Sequence, residues 1–257
     1  MRILIVPDIH DDLGFLRSII SNEDLDSFEH VVMLGDYFDP YPDLMSDDDN
    51  LRELAGTLLN LKELLGGRLH MLCGNHDLPY YALRPACGGN TGRPNAVIGQ
   101  WLGSTTQKRA EIINAIWSEP FWRELKGAVL LDGWLFSHAG IHPEWWPMGV
   151  SDPLAAYEQF NQRWRYAMDL IFLESMDPIF SAGIVREGKA AYGGPLWLDW
   201  DYEFEDALPL PQVVGHTRNP SQRQRGRSFC IDFGQSAYAI ADNGELQINA
   251  VTALLNE

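Results

Sequence analysis

Apolar runs that break off into short polar motifs recur along this chain, and that pattern constrains its fold more than any other feature. Residues 2–7 (RILIVP) are a β-branched apolar run ending at Asp8-x-His10. Residues 30–34 (HVVML) end at Gly35-Asp36-x-x-Asp39, and residues 69–73 end at Gly74-Asn75-His76-Asp77. Such a run has no polar face to turn to water, so each predicts a strand buried on both sides. Between them, residues 11–21 place Leu13, Leu16, Ile19 and Ile20 at helical spacing. Residues 47–66 begin with three Asp and then repeat Leu51, Leu54, Leu58, Leu61 and Leu65, with Gly66-Gly67 as a stop. Acidic residues in a first turn complement the helix dipole. Strand and helix alternate, which predicts a parallel sheet with polar loops at the carboxyl ends of its strands.

The second half is built differently. Residues 95–126 have a helical stripe of Trp101, Ile112, Ile113, Ile116 and Trp117, and residues 128–137 suggest a hairpin turning at Asp132-Gly133. Residues 154–175 are amphipathic, and residues 177–211, rich in Gly, Pro and aromatics, suggest a long ordered excursion. Short strands are expected at 212–214, 228–232, 236–241 and 245–250. The whole, residues 1–257, is expected to be one domain, with a helical and loop insertion at about 78–127 and a loop-rich excursion at about 142–211.

Charge and cysteine usage limit the partners. A formal net charge of -17 is unsuited to a broad nucleic-acid surface, because backbone binding needs neutralising Lys and Arg. No apolar run reaches the roughly 18 residues of a membrane span. Cys73, Cys87 and Cys230 have no metal-binding spacing and suit a reducing compartment, so a cytoplasmic location is expected. An acidic protein that handles phosphate must supply positive charge locally, and bound metal ions are the direct way.

Two further motifs follow apolar runs: Ser137-His138-Ala139-Gly140 and Gly215-His216. Singly, each of the five is common, and Asp or Asn at a strand end often serves only as a turn cap. Together they place oxygen and imidazole donors, without thiolate, at one edge of a sheet, a set suited to Mn, Fe or Zn. A carboxylate can bridge two such ions, and Asp36 is the candidate for that role. Asp8 and His10 would complete the protein ligands of one ion, and Asn75, His138 and His216 those of the other.

In this order the motifs resemble those of the calcineurin-like metallophosphoesterases: D-x-H, G-D-x-x-D, G-N-H-D/E, a lone His, then G-H. The wording of Gly35-Asp36-Tyr37-Phe38-Asp39, of residues 137–143 (SHAGIHP) and of Gly194-Pro195-Leu196-Trp197 is similar to the phosphoprotein phosphatases and symmetrical diadenosine tetraphosphatases. The resemblance implies an α/β fold, a four-layer β-sandwich flanked by helices, with the metal site on loops at strand carboxyl ends. It implies two divalent metal ions, usually manganese. It also implies that His76 protonates the leaving group, oriented by Asp39, and that Asn75 contacts substrate. Where that branch often carries Arg, this chain has Pro40, Cys73 and Leu198-Asp199. Arg218, Arg186, Arg163 and Arg165 are candidates to replace them, with Arg218 first because it closely follows His216.

The expected activity is therefore two-metal hydrolysis of phosphate esters, foremost phosphomonoesters of protein or small molecules. Hydrolysis of a dinucleoside polyphosphate or another phosphodiester is the alternative. A metal-free scaffold of the same fold would be expected to lose ligands, and none is lost here. The expected partner is a phosphorylated substrate, with no nucleic-acid scaffold and no membrane. Of the tryptophans, Trp117, Trp122 and Trp164 are expected in the core. Trp145, Trp146, Trp197 and Trp200 are expected to pack loops or to stack on a substrate ring.

Overall fold

The computed structural model describes residues 1–41, 46–84, 106–172 and 175–251. Its first strand, β1 (Arg2–Val6), explains why an apolar run was needed. Leu4 and Val6 face helices α1 (Leu13–Asn22) and α2 (Asp48–Leu65), whereas Ile3 and Ile5 join a separate apolar layer. Strand β2 (His30–Met33) divides in the same way: Val31 and Met33 join the helical side, Val32 the inner layer. The inner layer also takes Val129, Phe136 and Val213 from a second sheet, so two sheets stack on a shared core.

The first sheet has the order β10-β9-β1-β2-β3, with β3 at Leu69–Met71, β9 at Ala237–Asp242 and β10 at Glu245–Ala250. Strands β1, β2 and β3 are parallel, with Ile3 opposite His30 and Val31 opposite Leu69. The parallel sheet expected from strand–helix alternation is only this part. β9 pairs antiparallel with β1, and β10 pairs antiparallel with β9, because a short hairpin rather than a helix joins those last strands.

The second sheet has the order β4-β5-β6-β8-β7: Ala128–Leu131, Trp134–Ser137, Gln212–Val214, Ser228–Cys230 and Arg223–Arg225. It too is mixed: β5, β6 and β8 run parallel, while β4 and β7 run antiparallel to their neighbours. Its hairpin turns through Asp132 (φ 49°) and Gly133 (φ 81°), as Asp-Gly allows. On its outer face Ala128 and Leu135 meet α6 (Pro153–Phe172) through Trp164, while Val214 and Cys230 meet Leu198, Trp200 and Phe204 of the excursion. Helices, sheet, sheet, then helix and ordered loop make the four layers.

Helix α2 starts one residue later than its run of Asp, because Asp47 is spent as a cap accepting from the Asp49 and Asn50 amides (3.1 and 2.9 Å). Gly66, at φ 54°, ends it. Between β3 and β4 lie α3 (Leu78–Ala82), α4 (Gln107–Ile116) and α5 (Glu119–Arg123). Ile112, Ile113 and Trp117 are buried as the stripe predicts, Ile116 is half-buried, and Trp101 and Cys87 lie outside the described residues. Trp117 donates to the Ala55 carbonyl (3.0 Å) and packs edge-on against Phe38 and Trp122, with ring centroids 5.0 and 4.7 Å away.

That aromatic cluster anchors the loop after β2. Tyr37 and Phe38 are fully buried, and the Tyr37 hydroxyl donates to the Leu72 carbonyl (2.9 Å). Asp77 ties this loop to the one after β3: its carboxylate accepts from the backbone amides of Asp36 (2.8 Å), Tyr37 (2.9 Å) and Gly74 (2.8 Å). Replacing Asp77 by Asn turns an amide donor toward these N–H groups, leaving at least one buried donor unpaired. We expect Asp77→Asn to lower stability by about 1–3 kcal/mol, read as a lower denaturant midpoint at unchanged slope. An unchanged midpoint would show that the clamp does not hold the loops.

Candidate metal centre

The loops that end β1, β2, β3, β5 and β6 meet at one edge of the sandwich, and backbone contacts lock them together. The His10 amide donates to the Asp36 carbonyl (2.9 Å), and the Gly215 amide donates to the His138 carbonyl (2.7 Å). His10, Asp36, Asp39 and His216 all take left-handed backbone conformations, with φ of 50°, 50°, 68° and 66°. Asp and His tolerate this region better than most residues, and such strain concentrates where a site requires it. The glycines of the motifs have a steric reason. A Cβ at Gly74 would collide with the Asp36 carboxylate, and one at Gly215 with that of Asp8.

Two imidazoles fix the centre. His10 Nδ1 donates to the Asp39 carbonyl (2.8 Å) and His138 Nδ1 to the Leu34 carbonyl (2.9 Å), since a carbonyl oxygen can only accept. Each Nε2 is then the free lone pair, and both approach the same Asp36 oxygen, at 3.6 and 3.4 Å. Anchoring one ring nitrogen to present the other is how proteins orient a metal ligand. Two candidate ligand groups share Asp36: His10, Asp36 and His76 on one side, Asp36, His138 and His216 on the other. Within each, ligand atoms lie within 4.8 Å of one another.

The donor set fits a cation. His138 Nε2 lies 3.0 Å from Asn75 Oδ1 and 3.2 Å from His216 Nδ1, as well as facing Asp36. Oxygens and ring nitrogens thus crowd one point with lone pairs. Without a metal ion, a proton must sit there. Burial opposes protonation of His138, yet the Asp36 charge and hydrogen bond prevail and push it up to about 9. Burial holds His10 and His216 below the usual imidazole range, which suits them to act as neutral ligands. Asp8 accepts the His216 amide on both oxygens (3.2 and 3.0 Å), and burial with the nearby Asp232 charge raises its carboxyl well above the usual range. A divalent ion would relieve each of these costs.

His76 stands at the rim, its Nδ1 3.0 Å from Asp39 Oδ2. Burial disfavours its charge, but Asp36 and the Asp39 hydrogen bond outweigh that and push it up to about 9. Behind Asp39, the Tyr80 hydroxyl donates to Oδ1, and Arg109 donates to that hydroxyl (2.9 Å) and pairs with Asp11.

Sequence reasoning missed this support. Tyr80 and Arg109 carry no motif of their own. Asp77 lies inside the Gly74-Asn75-His76-Asp77 motif, which by itself gives it no role. Asp232 follows β8 as the other site residues follow their strands, which was a usable signal. It is buried, Oδ1 accepts from the Gly234 amide (3.0 Å), and Oδ2 meets no partner among the described residues. Burial and the Asp36 charge push its carboxyl up to about 6.

Above the centre lies a cleft of about 710 Å³, with His10, Asp36, Asn75 and His216 in its floor and His76 at its rim. Of the four candidate arginines it takes Arg218, stacked over Tyr41 at 4.2 Å, and Arg186. Arg163 pairs with Asp177 (2.8 Å), and Arg165 lines a different cavity. Trp197 lines the cleft, whereas Trp146 and Trp200 are buried in packing, and Trp145 donates to the Gly193 carbonyl (2.9 Å).

Among the described residues, no helix is long and apolar enough to cross a membrane. No curated protein sequence matches the chain significantly. The fold is similar to that of a cold-active protein-tyrosine phosphatase from a psychrophile, Shewanella sp., at 16% identity and a TM-score of 0.54, covering 98% of this chain and 80% of that one. It is also similar to a protein serine/threonine phosphatase from Saccharomyces cerevisiae, at 16% identity and a TM-score of 0.54, covering 100% of this chain and 81% of that one. The model of the calcineurin-like phosphoesterases, a family that uses divalent metal ions, matches residues 1–244. The chain belongs to the calcineurin-like phosphoesterase family and is a hydrolase acting on phosphate esters.

Proposed function

We propose that the protein is a two-metal phosphomonoesterase of the cytoplasm, acting as one domain. The supporting observation is the approach of His10 Nε2 and His138 Nε2 to one oxygen of Asp36 from two ligand groups. In this reading Asp8, His10 and Asp36 would hold one ion, and Asp36, Asn75, His138 and His216 would hold the other, with His76, which shares the first group, kept for acid catalysis. Manganese is the first choice, with iron or zinc as alternatives suited to the same donors. When bound, two divalent ions supply a nucleophile at neutral pH and positive charge for the phosphoryl group. Asn75 and Arg218 contact that group from the floor and rim of the cleft.

His76 delivers the proton that an alkoxide leaving group needs. Its Nδ1 is engaged by Asp39, which leaves Nε2 to carry the transferable proton into the cleft. Asp39 favours the imidazolium and fixes the ring, and Tyr80 with Arg109 fixes Asp39.

Treatment with a chelator should abolish hydrolysis of p-nitrophenyl phosphate, and added Mn²⁺ should restore it. Full turnover in verified metal-free enzyme would refute the two-metal reading. A parallel screen of phosphodiesters and dinucleoside polyphosphates checks the monoester preference, and faster turnover of those would replace it.

Substituting His76→Asn should slow alkyl phosphates by roughly 10²–10⁴-fold, and slow p-nitrophenyl phosphate much less, because that leaving group needs little protonation. Asp39→Asn should shift rates in the same direction by a smaller factor. Equal loss across esters of graded leaving-group pKa, with metal occupancy unchanged, would remove His76 from the role of acid.

A further inference from the structure

One wall of the cleft is a small loop, residues 183–190, closed on itself by backbone hydrogen bonds. The Ile184 amide donates to the Ala190 carbonyl (3.0 Å), the Gly188 amide to the Gly183 carbonyl (2.9 Å), and the Ala190 amide to the Ala182 carbonyl (3.3 Å). Glu187 completes the turn in a left-handed conformation, φ 63°. At Gly183 and Gly188 an added Cβ would collide with Glu203 and with the Ala182 carbonyl, so the loop is pressed tightly onto the excursion behind it. A loop built this way holds its backbone in one conformation and so fixes where its side chains start.

Arg186 is the charged side chain it offers to the cleft. One guanidinium nitrogen, Nη2, pairs with Asp199 Oδ2 (2.9 Å) and donates to Thr217 Oγ1 (3.1 Å), the residue after His216. The other Asp199 oxygen accepts the Asp201 and Tyr202 amides (2.9 and 3.1 Å), so the carboxylate is itself fixed. Arg186 Nε is buried and meets no partner among the described residues. A guanidinium held by one nitrogen, beside a candidate metal-ligand histidine, with Nη1 neither buried nor partnered among the described residues, suits the oxygens of a tetrahedral anion. A phosphoryl oxygen in the cleft would accept from that nitrogen, whereas Nε, shielded from water, is closed to it.

The same wall is apolar above that charge. Val185 (43% exposed) and Tyr202 (80% exposed) line the cleft with Trp197 and Tyr41, and Ile184 (69% exposed) adjoins them. In a chain of net charge -17, the described residues of this rim include no carboxylate beyond Asp199, which Arg186 and two amides already engage. Apolar and aromatic side chains beside an anchored cation on this wall make a seat for a phosphate on an uncharged ring or hydrocarbon.

We propose that the 183–190 loop is the substrate-reading element. Arg186 seats the phosphoryl group, and Val185, Tyr202 and Trp197 receive an aromatic or bulky apolar leaving group. This rests on the phosphomonoesterase reading above and names its substrate class.

The test uses the full chain loaded with Mn²⁺ and two readouts. The first is calorimetric binding of inorganic phosphate, which needs no turnover. Arg186→Ala combined with Asp199→Ala, which avoids leaving a buried carboxylate unpaired, should weaken phosphate binding about 10- to 100-fold. Arg186→Lys should weaken it less, and it serves alone if the double variant does not fold. The second readout is kcat/KM for benzyl phosphate against ethyl phosphate, whose leaving groups are of similar basicity. The unaltered chain should prefer the benzyl ester by roughly 10-fold or more, and Val185→Ser with Tyr202→Ser should reduce that ratio. Phosphate affinity unchanged in the folded Arg186 variants, or a benzyl-to-ethyl ratio near one in the unaltered chain, would overturn the proposal. Phosphate binding that depends on Arg186, in a chain that hydrolyses no ester, would support Arg186 as the phosphoryl seat and reject the enzymatic reading instead.

Discussion

Asp8, Asp36, Asp39, Asp77 and Asp232 are all buried around one edge of the sandwich, and their mutual repulsion is the constraint to which the surrounding structure answers. Carboxylates removed from water must be neutralised, hydrogen-bonded or paired. Each here is met differently. Asp77 takes three backbone amides, Asp39 takes His76 and Tyr80, and Asp8 takes the His216 amide. Asp36 stands among His10, His76 and His138, and the charges of His138 and His76, with the His138 hydrogen bond, hold its carboxyl well below the usual range against burial. What remains uncompensated lies between the two histidine groups, where a cation belongs.

Holding such a set requires a rigid frame, because hydrogen-bonded backbone in left-handed conformations persists only where the surroundings over-determine it. The frame comes from two directions. Strand ends from both sheets bring the loops to one edge, and the cluster of Tyr37, Phe38, Trp117 and Trp122 fills the space beneath the Asp36 loop. The chain therefore places large aromatic side chains directly beneath its candidate site. Their work is to keep Asp36 and Asp39 from relaxing apart.

Much of this was legible in the sequence where local rules and global structure agree. Strands β1 and β2, buried on both faces, announce themselves as unbroken apolar runs, and the Asp-Gly hairpin between β4 and β5 has a stereochemical signature of its own. The candidate ligands were legible because each lies where a strand hands over to a loop, and before Asn75 and His216 stands a glycine whose absent Cβ makes room for a carboxylate. Less legible was the direction of the last strands. The turn Asp242-Asn243-Gly244 marks β9 and β10 as a hairpin, but nothing in the preceding alternation of strand and helix says that β9 pairs antiparallel with β1. Strand β7 (RQR) has no apolar pattern at all, and it forms because its backbone completes an edge beside β8.

The sequence by itself determined the chemistry: which oxygens and imidazoles occur, in what order, and at which ends of buried strands. Strand periodicity and turn stereochemistry are local, so they can be read from a few residues at a time. Tertiary structure alone decided which groups serve one another. Asp77 reaches back about forty positions to Asp36, Arg109 supports Asp39 through Tyr80, and Asp199 holds Arg186 beside Thr217. Those contacts join residues whose separation along the chain carries no signal. They exist because close packing leaves a buried charge only the partners that the fold happens to place within hydrogen-bond reach.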